Sequence, residues 1–123
     1  MKFLCMAYYN VQKFAELSEA EMQAIVSQCS EYDQSLRQSG AVLAQGSLAS
    51  PPSSLCIRPS KKGPIVSDGP FLETKEQIGG FFMIEASSLE EAKELALKHP
   101  AANIGEEMGW GVEIRPIDNF IAL

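Results

Sequence analysis

Histidine is nearly absent from this 123-residue sequence, because His99 is the only one. The usual zinc and haem sites draw on several histidines or on closely spaced cysteines, and the sequence contains neither arrangement. It also lacks a P-loop, a G-x-G-x-x-G stretch, an H-x-x-x-H pair and a G-x-S-x-G elbow. We therefore expect a protein that uses no metal, ATP, nicotinamide or haem, and we assign it no cofactor.

Positive charge is also scarce. Ten Lys and Arg residues stand against sixteen Asp and Glu, which gives a net charge of −6, and only Lys61 and Lys62 are adjacent. Proteins that bind a phosphate backbone present a basic patch or stripe. The sequence therefore argues against nucleic acid as a partner.

Cysteines are few, and long apolar runs are missing. Cys5, Cys29 and Cys56 are odd in number, far apart and flanked by apolar residues, which predicts buried free thiols in a reducing compartment. No run approaches the roughly 20 apolar residues of a membrane-spanning helix. The apolar run 3–9 is short and lacks a cleavage-like segment, so it indicates a first strand rather than a signal peptide. We expect a cytoplasmic protein that does not bind membranes.

The length and the 46% hydrophobic content fit one domain, residues 1–123, with one ordinary core. Ser18 and Glu21 form the S-x-x-E pattern of a helix start, and Gly40 marks that helix's end. Apolar residues predicted to lie on the buried side of the helices are Met22, Ile25, Val26, Cys29, Tyr32 and Leu36 in the first and Leu89, Ala92, Leu95 and Ala96 in the second. The predicted elements are a strand at 2–9, a helix from 18, a strand at 41–48, a hairpin at 55–66, a strand at 81–86, a helix from 87 or 88 that ends at Pro100, and a strand at 110–117.

This order predicts an α+β protein with a ferredoxin-like split βαβ plan, an antiparallel sheet and a hairpin insertion. Two helices can cover only one face of such a sheet, yet both faces of the predicted strands are apolar, as Leu4 and Met83 illustrate on one of them. A second copy of the chain would cover the remaining face. We therefore predict a homodimer whose sheets pack face to face, with a cavity between sheet, hairpin and loop.

The stretch 67–81 holds the densest group of polar candidates. Gly69 provides torsional freedom, and Pro70 is expected to push Gly69 toward an extended conformation. The Asp68 carboxylate either caps its own turn by accepting backbone N–H groups or acts as a general base at the cavity rim. Lys75 either holds an anionic ligand or is solvated, and the Asn119–Leu123 tail is apolar enough to be expected to dock.

Glu85 interrupts an apolar strand on the side of Phe81 and Met83. A carboxylate there is expected either to pair with Arg115 or Arg58, or to face the dimer cavity with a raised pKa and act as a base. His99 is expected to cap the last turn of the second helix as a cation. Tyr8 or Tyr9 can line a pocket, and Trp110 either closes the cavity or packs on the sheet.

The sequence resembles a known family. The residues that carry this resemblance are Asp68-Gly69-Pro70-Phe71 with Glu73–Glu76, then Gly79-Gly80-Phe81 and Ile84-Glu85, then Val112–Pro116. In order and spacing they are similar to the YCII-related proteins, and among them to the group named for its DGPF motif. The resemblance spans nearly the whole chain and implies the dimeric α/β barrel superfamily, whose members include small isomerases and cofactor-independent monooxygenases.

One catalytic feature of the family does not match this sequence. YCII-type relatives are thought to pair a histidine near the first helix with an aspartate as a catalytic dyad, but no histidine lies between Tyr9 and Ser39 here. The dyad is therefore not carried over. The DGPF group has been linked to sigma-factor partners, which is no evidence that this chain contacts DNA.

The sequence thus leads to two hypotheses. The first is a small-molecule-binding protein, with or without cofactor-free acid–base catalysis, acting in a cavity between the sheets of a homodimer. Its catalytic residues would be Asp68 and Glu85, and its ligand-binding residues Lys75, Tyr8, Phe71, Phe81 and Arg115. The second is a non-catalytic regulatory or protein-interaction module that uses the outer helices.

Overall fold

The computed structural model describes residues 1–123 and contains six strands and three α-helices. No helix combines the length and apolar character needed to cross a membrane. The elements are β1 (Lys2–Asn10), α1 (Val11–Ala15), α2 (Glu19–Gln38), β2 (Val42–Ser47), β3 (Leu55–Arg58), β4 (Ile65–Asp68), β5 (Glu76–Glu85), α3 (Leu89–Ala96) and β6 (Gly111–Pro116). Short 3₁₀ helices lie at Pro51–Ser53, Pro100–Ala102 and Glu106–Met108.

Four strands form the main sheet in the order β2-β5-β1-β6, and each neighbouring pair is antiparallel. The long β1–β5 ladder runs from Lys2 opposite Glu85 to Asn10 opposite Glu76. β3 and β4 form a separate two-stranded sheet. The predictions of an α+β protein, an antiparallel sheet and an inserted hairpin are confirmed.

The core lies between one face of the main sheet and the helices. Phe3 and Cys5 of β1 alternate with partly exposed neighbours, as the period of two in a strand requires. With Phe82 and Ile84 of β5 they form the sheet side of a cluster that Leu36 closes from α2. Ala86, Ala92 and Ala96 complete this cluster, and Val42, Leu95, Val112 and Ile114 pack around it. Burial raises the pKa of the Cys5 thiol to about 11, so this thiol stays protonated.

The start of α2 follows the predicted capping pattern. The Glu21 backbone N–H donates to the Ser18 hydroxyl oxygen at 3.1 Å, and the Ser18 N–H donates to the Glu21 carboxylate at 3.0 Å. Two of the four unpaired N–H groups at this end are thereby satisfied. Gly40 ends the segment with φ of +73°. The predicted apolar stripe is wrong at Val26, which is 58% exposed because it lies beyond the edge of the face that buries Ile25 and Leu36.

β5 is longer than the sequence predicts. It begins at Glu76 rather than at residue 81, and Gly79 and Gly80 lie inside the strand rather than before it. These glycines serve close packing: a Cβ on Gly80 would stand 3.1 Å from the Gly46 carbonyl oxygen. A glycine pair indicates a turn when read from sequence alone, which explains the error.

Two helical features also differ from the prediction. The short α1 was not predicted; it is capped by the Asn10 side chain, which accepts the Lys13 N–H at 3.0 Å. α3 begins after Ser88 as predicted but ends at Ala96, before Pro100, and Leu89 is 53% exposed rather than buried. Pro100 instead starts a buried 3₁₀ turn.

The opposite face of the main sheet is apolar too. Leu4, Met6, Phe81 and Met83 lie on it, and each is partly exposed. The expectation that both faces of the sheet are apolar is therefore confirmed.

The C-terminal tail is exposed, although the Lys2 ammonium lies 4.8 Å from the centre of the Phe120 ring.

Candidate functional site: a cleft between the long helix and the sheet

A cleft of about 620 Å³ opens between α2 and the helix-facing side of the sheet. This volume lies within the range of pockets that hold small molecules. Polar or aromatic side chains line it from three directions: Cys29, Asp33 and Arg37 from α2, Tyr9, Gln45 and Phe82 from the strands, and His99 and Trp110 from the segments around the 3₁₀ turns.

The α2 wall follows from helix geometry. Cys29, Asp33 and Arg37 are spaced by four residues, which places them one above another on one side of the helix. Opposite charges at this spacing often pair, but no ion pair of the structure includes Asp33 or Arg37. The guanidinium groups of the other two arginines donate hydrogen bonds, Arg58 to the Phe71 backbone carbonyl and Arg115 to the Glu113 carboxylate, whereas the Arg37 guanidinium has no partner in the chain. The cleft therefore offers a carboxylate and a guanidinium that are both free to bind a ligand.

His99 lies on the other side of the cleft in a fixed orientation. Its ring stacks on Phe82 with centroids 4.6 Å apart and planes 8° apart. Its Nδ1 atom accepts the Ala101 backbone N–H at 3.0 Å, which caps the 3₁₀ turn at Pro100–Ala102. The prediction of a cation at the end of the second helix is wrong, because α3 has already ended and His99 starts the next turn.

Burial lowers the pKa of His99, and the nearby Asp33 charge opposes that effect only in part. The neutral ring is therefore the favoured form. Since Nδ1 accepts a hydrogen bond, we assign the proton of the neutral ring to Nε2. His99 thus provides a hydrogen-bond donor and not a base.

Aromatic rings form the end walls of the cleft, and glycines set their positions. Tyr9 meets Phe14 edge to face, with ring centroids 5.5 Å apart. A Cβ on Gly79 would stand 2.8 Å from the Tyr9 ring, so this position requires glycine. Gly105 has φ of +80°, and a Cβ there would stand 2.4 Å from the Trp110 ring.

Two of the residues chosen from the sequence, Tyr8 and Phe81, border this cleft. The Tyr8 hydroxyl donates to the Glu113 carboxylate at 3.3 Å, and burial together with that carboxylate raises the pKa of Tyr8. Phe81 rests against Gly46, where a Cβ would come within 2.9 Å of its ring. Both rings point to the face of the sheet opposite α2.

The Asp68 loop lies outside the cleft. Gly69 donates its N–H to the Ser54 carbonyl at 2.7 Å, and its carbonyl accepts the Cys56 thiol at 3.0 Å. The exposed Asp68 carboxylate takes no part in these contacts, so it does not cap the turn. Gly69 has φ of +97°, so the predicted ordinary extended conformation is wrong.

Phe71 and Lys75 follow in the same loop and also lie outside the cleft. Arg58 donates to the Phe71 carbonyl at 3.1 Å and lies 3.8 Å from the centre of the Phe71 ring. This contact fixes the loop on the hairpin. The Lys75 carbonyl accepts the Val11 N–H at 2.8 Å, while its side chain is exposed.

Glu85 has partners other than those predicted. Its carboxylate lies 3.2 Å from the amino group of Met1 and 3.5 Å from the Lys2 ammonium, whereas Arg115 pairs with Glu113 at 2.5 Å. The hydrogen bond from the amino terminus, together with Lys2, lowers the pKa of Glu85. The predicted pairing with Arg115 or Arg58 and the predicted raised pKa are both wrong.

The candidate site residues chosen from the sequence also lie far apart within one chain. Lys75 precedes β5 and Glu85 ends it. A ten-residue strand spans about 30 Å at ~3.3 Å per residue. Lys75 and Glu85 therefore lie at opposite ends of one strand, and Arg115 faces the sheet side away from α2.

The residues that sequence reasoning missed are Asp33, Arg37 and Gln45, together with the cleft-lining position of His99. The four-residue spacing of Cys29, Asp33 and Arg37 was the available signal. It was hidden because Cys29 also fitted the apolar stripe of the helix.

Comparison with known proteins identifies the family. The family model of the YCII-related domain matches residues 1–120. The chain belongs to the YCII-related family. This confirms the resemblance to the YCII-related proteins that was drawn from the sequence. An uncharacterized protein of Rhizobium meliloti (strain 1021) is 43% identical to this YCII-related chain over 61 residues, which are 50% of this chain and 47% of that protein. The chain thus matches about half the length of this curated relative.

Proposed function

We propose that this YCII-related protein binds a small, partly polar molecule in the cleft between α2 and the sheet and catalyses cofactor-free acid–base chemistry on it. One observation carries the proposal: Asp33, Arg37 and His99 come from different elements yet line the same cleft of about 620 Å³. None of the three has its charge or donor consumed by an ion pair within the chain. Convergent polar groups in an otherwise aromatic pocket are the usual mark of a binding site.

Each polar residue has a distinct role in this proposal. The Asp33 carboxylate accepts a proton from the bound molecule. Neutral His99 donates its Nε2–H to the oxygen on which negative charge develops, as a fixed donor with no need to reorient. Arg37 orients an anionic group of the ligand.

We also propose that the chain forms a homodimer with the ferredoxin-like arrangement of a dimeric α/β barrel. We further propose that it belongs to the DGPF-motif group. Support comes from the sheet face that carries Leu4, Met6, Phe81 and Met83. Its charges are already compensated: Glu85 pairs with the amino terminus and Lys2, and Glu113 pairs with Arg115. A second copy can therefore approach without repulsion, although the chain carries a net charge of −6.

The test is a thermal-shift screen of metabolite classes, followed by titration of each hit against variants. We expect at least one class to raise the melting temperature and to change the fluorescence of Trp110, the single tryptophan, which lines the cleft. Asp33→Asn and His99→Gln should abolish turnover of that ligand, whereas Asp118→Asn in the exposed tail serves as the control. If no class of compound shifts the melting temperature or the fluorescence, the proposal is wrong.

A second candidate function is a non-catalytic interaction module. One observation favours it: Leu55, Ile57 and Val66 lie on one face of the β3–β4 hairpin and are 66%, 66% and 60% exposed. Such a face suits a protein partner. An Ile57→Glu variant that loses binding of a protein partner while it keeps ligand binding in the cleft would favour this function over catalysis.

A further inference from the structure

We infer that the cleft takes a small aromatic carboxylate that also carries a carbonyl group, with Arg37 binding the carboxylate and His99 donating to the carbonyl oxygen. This inference names the ligand class and rests on the proposed function. Its basis is the particular set of charges and donors that the cleft presents.

Arg37 determines the anionic part of the ligand. It is the only Lys or Arg on the cleft wall, and its guanidinium has no partner in the chain. A guanidinium offers two parallel N–H groups whose spacing matches the two oxygens of a carboxylate. Arg37 is exposed, so its guanidinium is open to an anion that enters the cleft from solution.

His99 determines the second polar group. The Ala101 N–H occupies its Nδ1 atom, and stacking on Phe82 fixes the ring plane. Only the Nε2–H remains, and it can only donate. The matching group on the ligand is an uncharged acceptor, and a carbonyl oxygen is the simplest one that also activates an adjacent C–H bond for transfer of its proton to Asp33.

Asp33 limits the charge of the ligand. Its carboxylate lies one helical turn from Arg37 on the same wall. A second negative charge on the ligand would meet this carboxylate, so a dianionic phosphate is disfavoured against a singly charged carboxylate. The rings of Tyr9, Phe14 and Trp110 supply flat apolar walls, which favour an aromatic ring on the ligand.

The experiment is isothermal titration calorimetry of the full chain with four matched compounds. Phenylpyruvate has the ring, the carbonyl and the carboxylate; 3-phenylpropanoate lacks the carbonyl, phenylacetone lacks the carboxylate, and phenyl phosphate carries the dianion. We expect phenylpyruvate to bind about 10- to 100-fold more tightly than phenylacetone and phenyl phosphate, which is the usual effect of a charge-assisted hydrogen bond. It should bind about 3- to 10-fold more tightly than 3-phenylpropanoate, which loses only a hydrogen bond between uncharged groups.

Variants assign the two contacts. Arg37→Gln should weaken phenylpyruvate binding to the level of phenylacetone and leave phenylacetone unchanged, and Arg58→Gln on the hairpin should change neither. His99→Phe keeps a ring on Phe82 but removes the donor, and should weaken phenylpyruvate to the level of 3-phenylpropanoate. Because His99 also caps a turn, His99→Asn is the second variant, which keeps a cap but withdraws the donor from the cleft.

The outcomes separate this inference from the proposed function. The inference is overturned if phenylacetone or phenyl phosphate binds as tightly as phenylpyruvate, or if Arg37→Gln has no effect. It is also overturned if none of the four compounds binds while another class from the thermal-shift screen does, and in that case the proposed function stands. If no compound of any class binds, both are wrong.

Discussion

At the scale of single residues, His99 shows what the sequence can and cannot disclose. Its position after a helical segment suggested a cation that caps the helix. The structure instead makes it a neutral ring, stacked on Phe82 and bonded to the Ala101 N–H. No local pattern encodes that outcome, because it depends on burial beneath a helix from the other half of the chain.

The lowered pKa of His99 has a measurable consequence for stability. The folded-state pKa lies below the ordinary value of 6.5, so the unfolded chain takes up a proton first as the pH falls. The contribution of His99 is therefore complete above about pH 6.5 and is lost as the pH falls below that value through the folded-state pKa. We expect the melting temperature to decrease over this range, as measured by circular dichroism at fixed ionic strength.

The control for this prediction is His99→Gln, which should reduce the change of melting temperature with pH in the range just below pH 6.5. Asp33 faces His99 and opposes the shift, so Asp33→Asn should steepen the dependence. The lowered pKa of Glu21 acts at lower pH, since its ordinary value is 4.5. An unchanged slope in His99→Gln would contradict the assignment.

Asp68 gives a second prediction at this scale. Its carboxylate is exposed and accepts no backbone hydrogen bond, and Gly69 and Arg58 hold the loop instead. Asp68→Asn should therefore change the free energy of unfolding by less than about 0.5 kcal/mol. Denaturant titration measures this change. A loss of 1 kcal/mol or more would show that the carboxylate holds its turn in solution.

At the scale of elements, the sequence is most informative where a helix begins. Ser18 with Glu21, and Ser88 with Glu91, mark helix starts through short-range hydrogen bonds that depend on few other residues. The beginning of β5 was missed because its cause is remote: Gly79 lies in a strand against Tyr9 of β1. The short α1 has a local cap at Asn10, but its five residues are too few to show an apolar period.

Ser18→Ala tests the α2 cap. Removing the hydroxyl leaves the Glu21 N–H without its acceptor and should cost about 1 kcal/mol, or roughly 3 to 6 °C in melting temperature. Ser27→Ala is the matched control, because the Ser27 hydroxyl only bonds back to the Ala24 carbonyl within the helix. Equal losses for the two variants would mean that the cap contributes nothing specific.

At the scale of the whole molecule, the sequence predicted the antiparallel sheet, the inserted hairpin and the two apolar sheet faces. It did not predict the cleft. Alternation along β1 and β5 is a local pattern that survives folding, whereas the cleft depends on how α2 and the segment after α3 meet across the sheet. The candidates chosen around Asp68 were neighbours in sequence, and the cleft residues are neighbours only in space.

The proposed dimer gives the prediction at this scale. Met83→Glu places a charge on the partly exposed sheet face opposite Leu4, where a second copy would have to bury it. We expect light scattering coupled to size exclusion to give twice the chain mass for the wild type at micromolar concentration and the monomer mass for Met83→Glu. The control is Val26→Glu on the exposed side of α2, which should remain dimeric. A monomeric wild type would contradict the dimer.

The β3–β4 hairpin has a consequence of a different kind. It forms a sheet of only two short strands, apart from the main sheet, with apolar side chains turned outward. Two-stranded hairpins are marginally stable by themselves, and local opening determines how fast amide protons exchange. The Cys56 and Ser67 amides, which lie at a hydrogen-bonded pair of this hairpin, should therefore exchange with deuterium far sooner than those of Phe82 and Ile84. The exchange rate of these amides therefore reports on binding at the hairpin, because any molecule that covers the hairpin will slow their exchange.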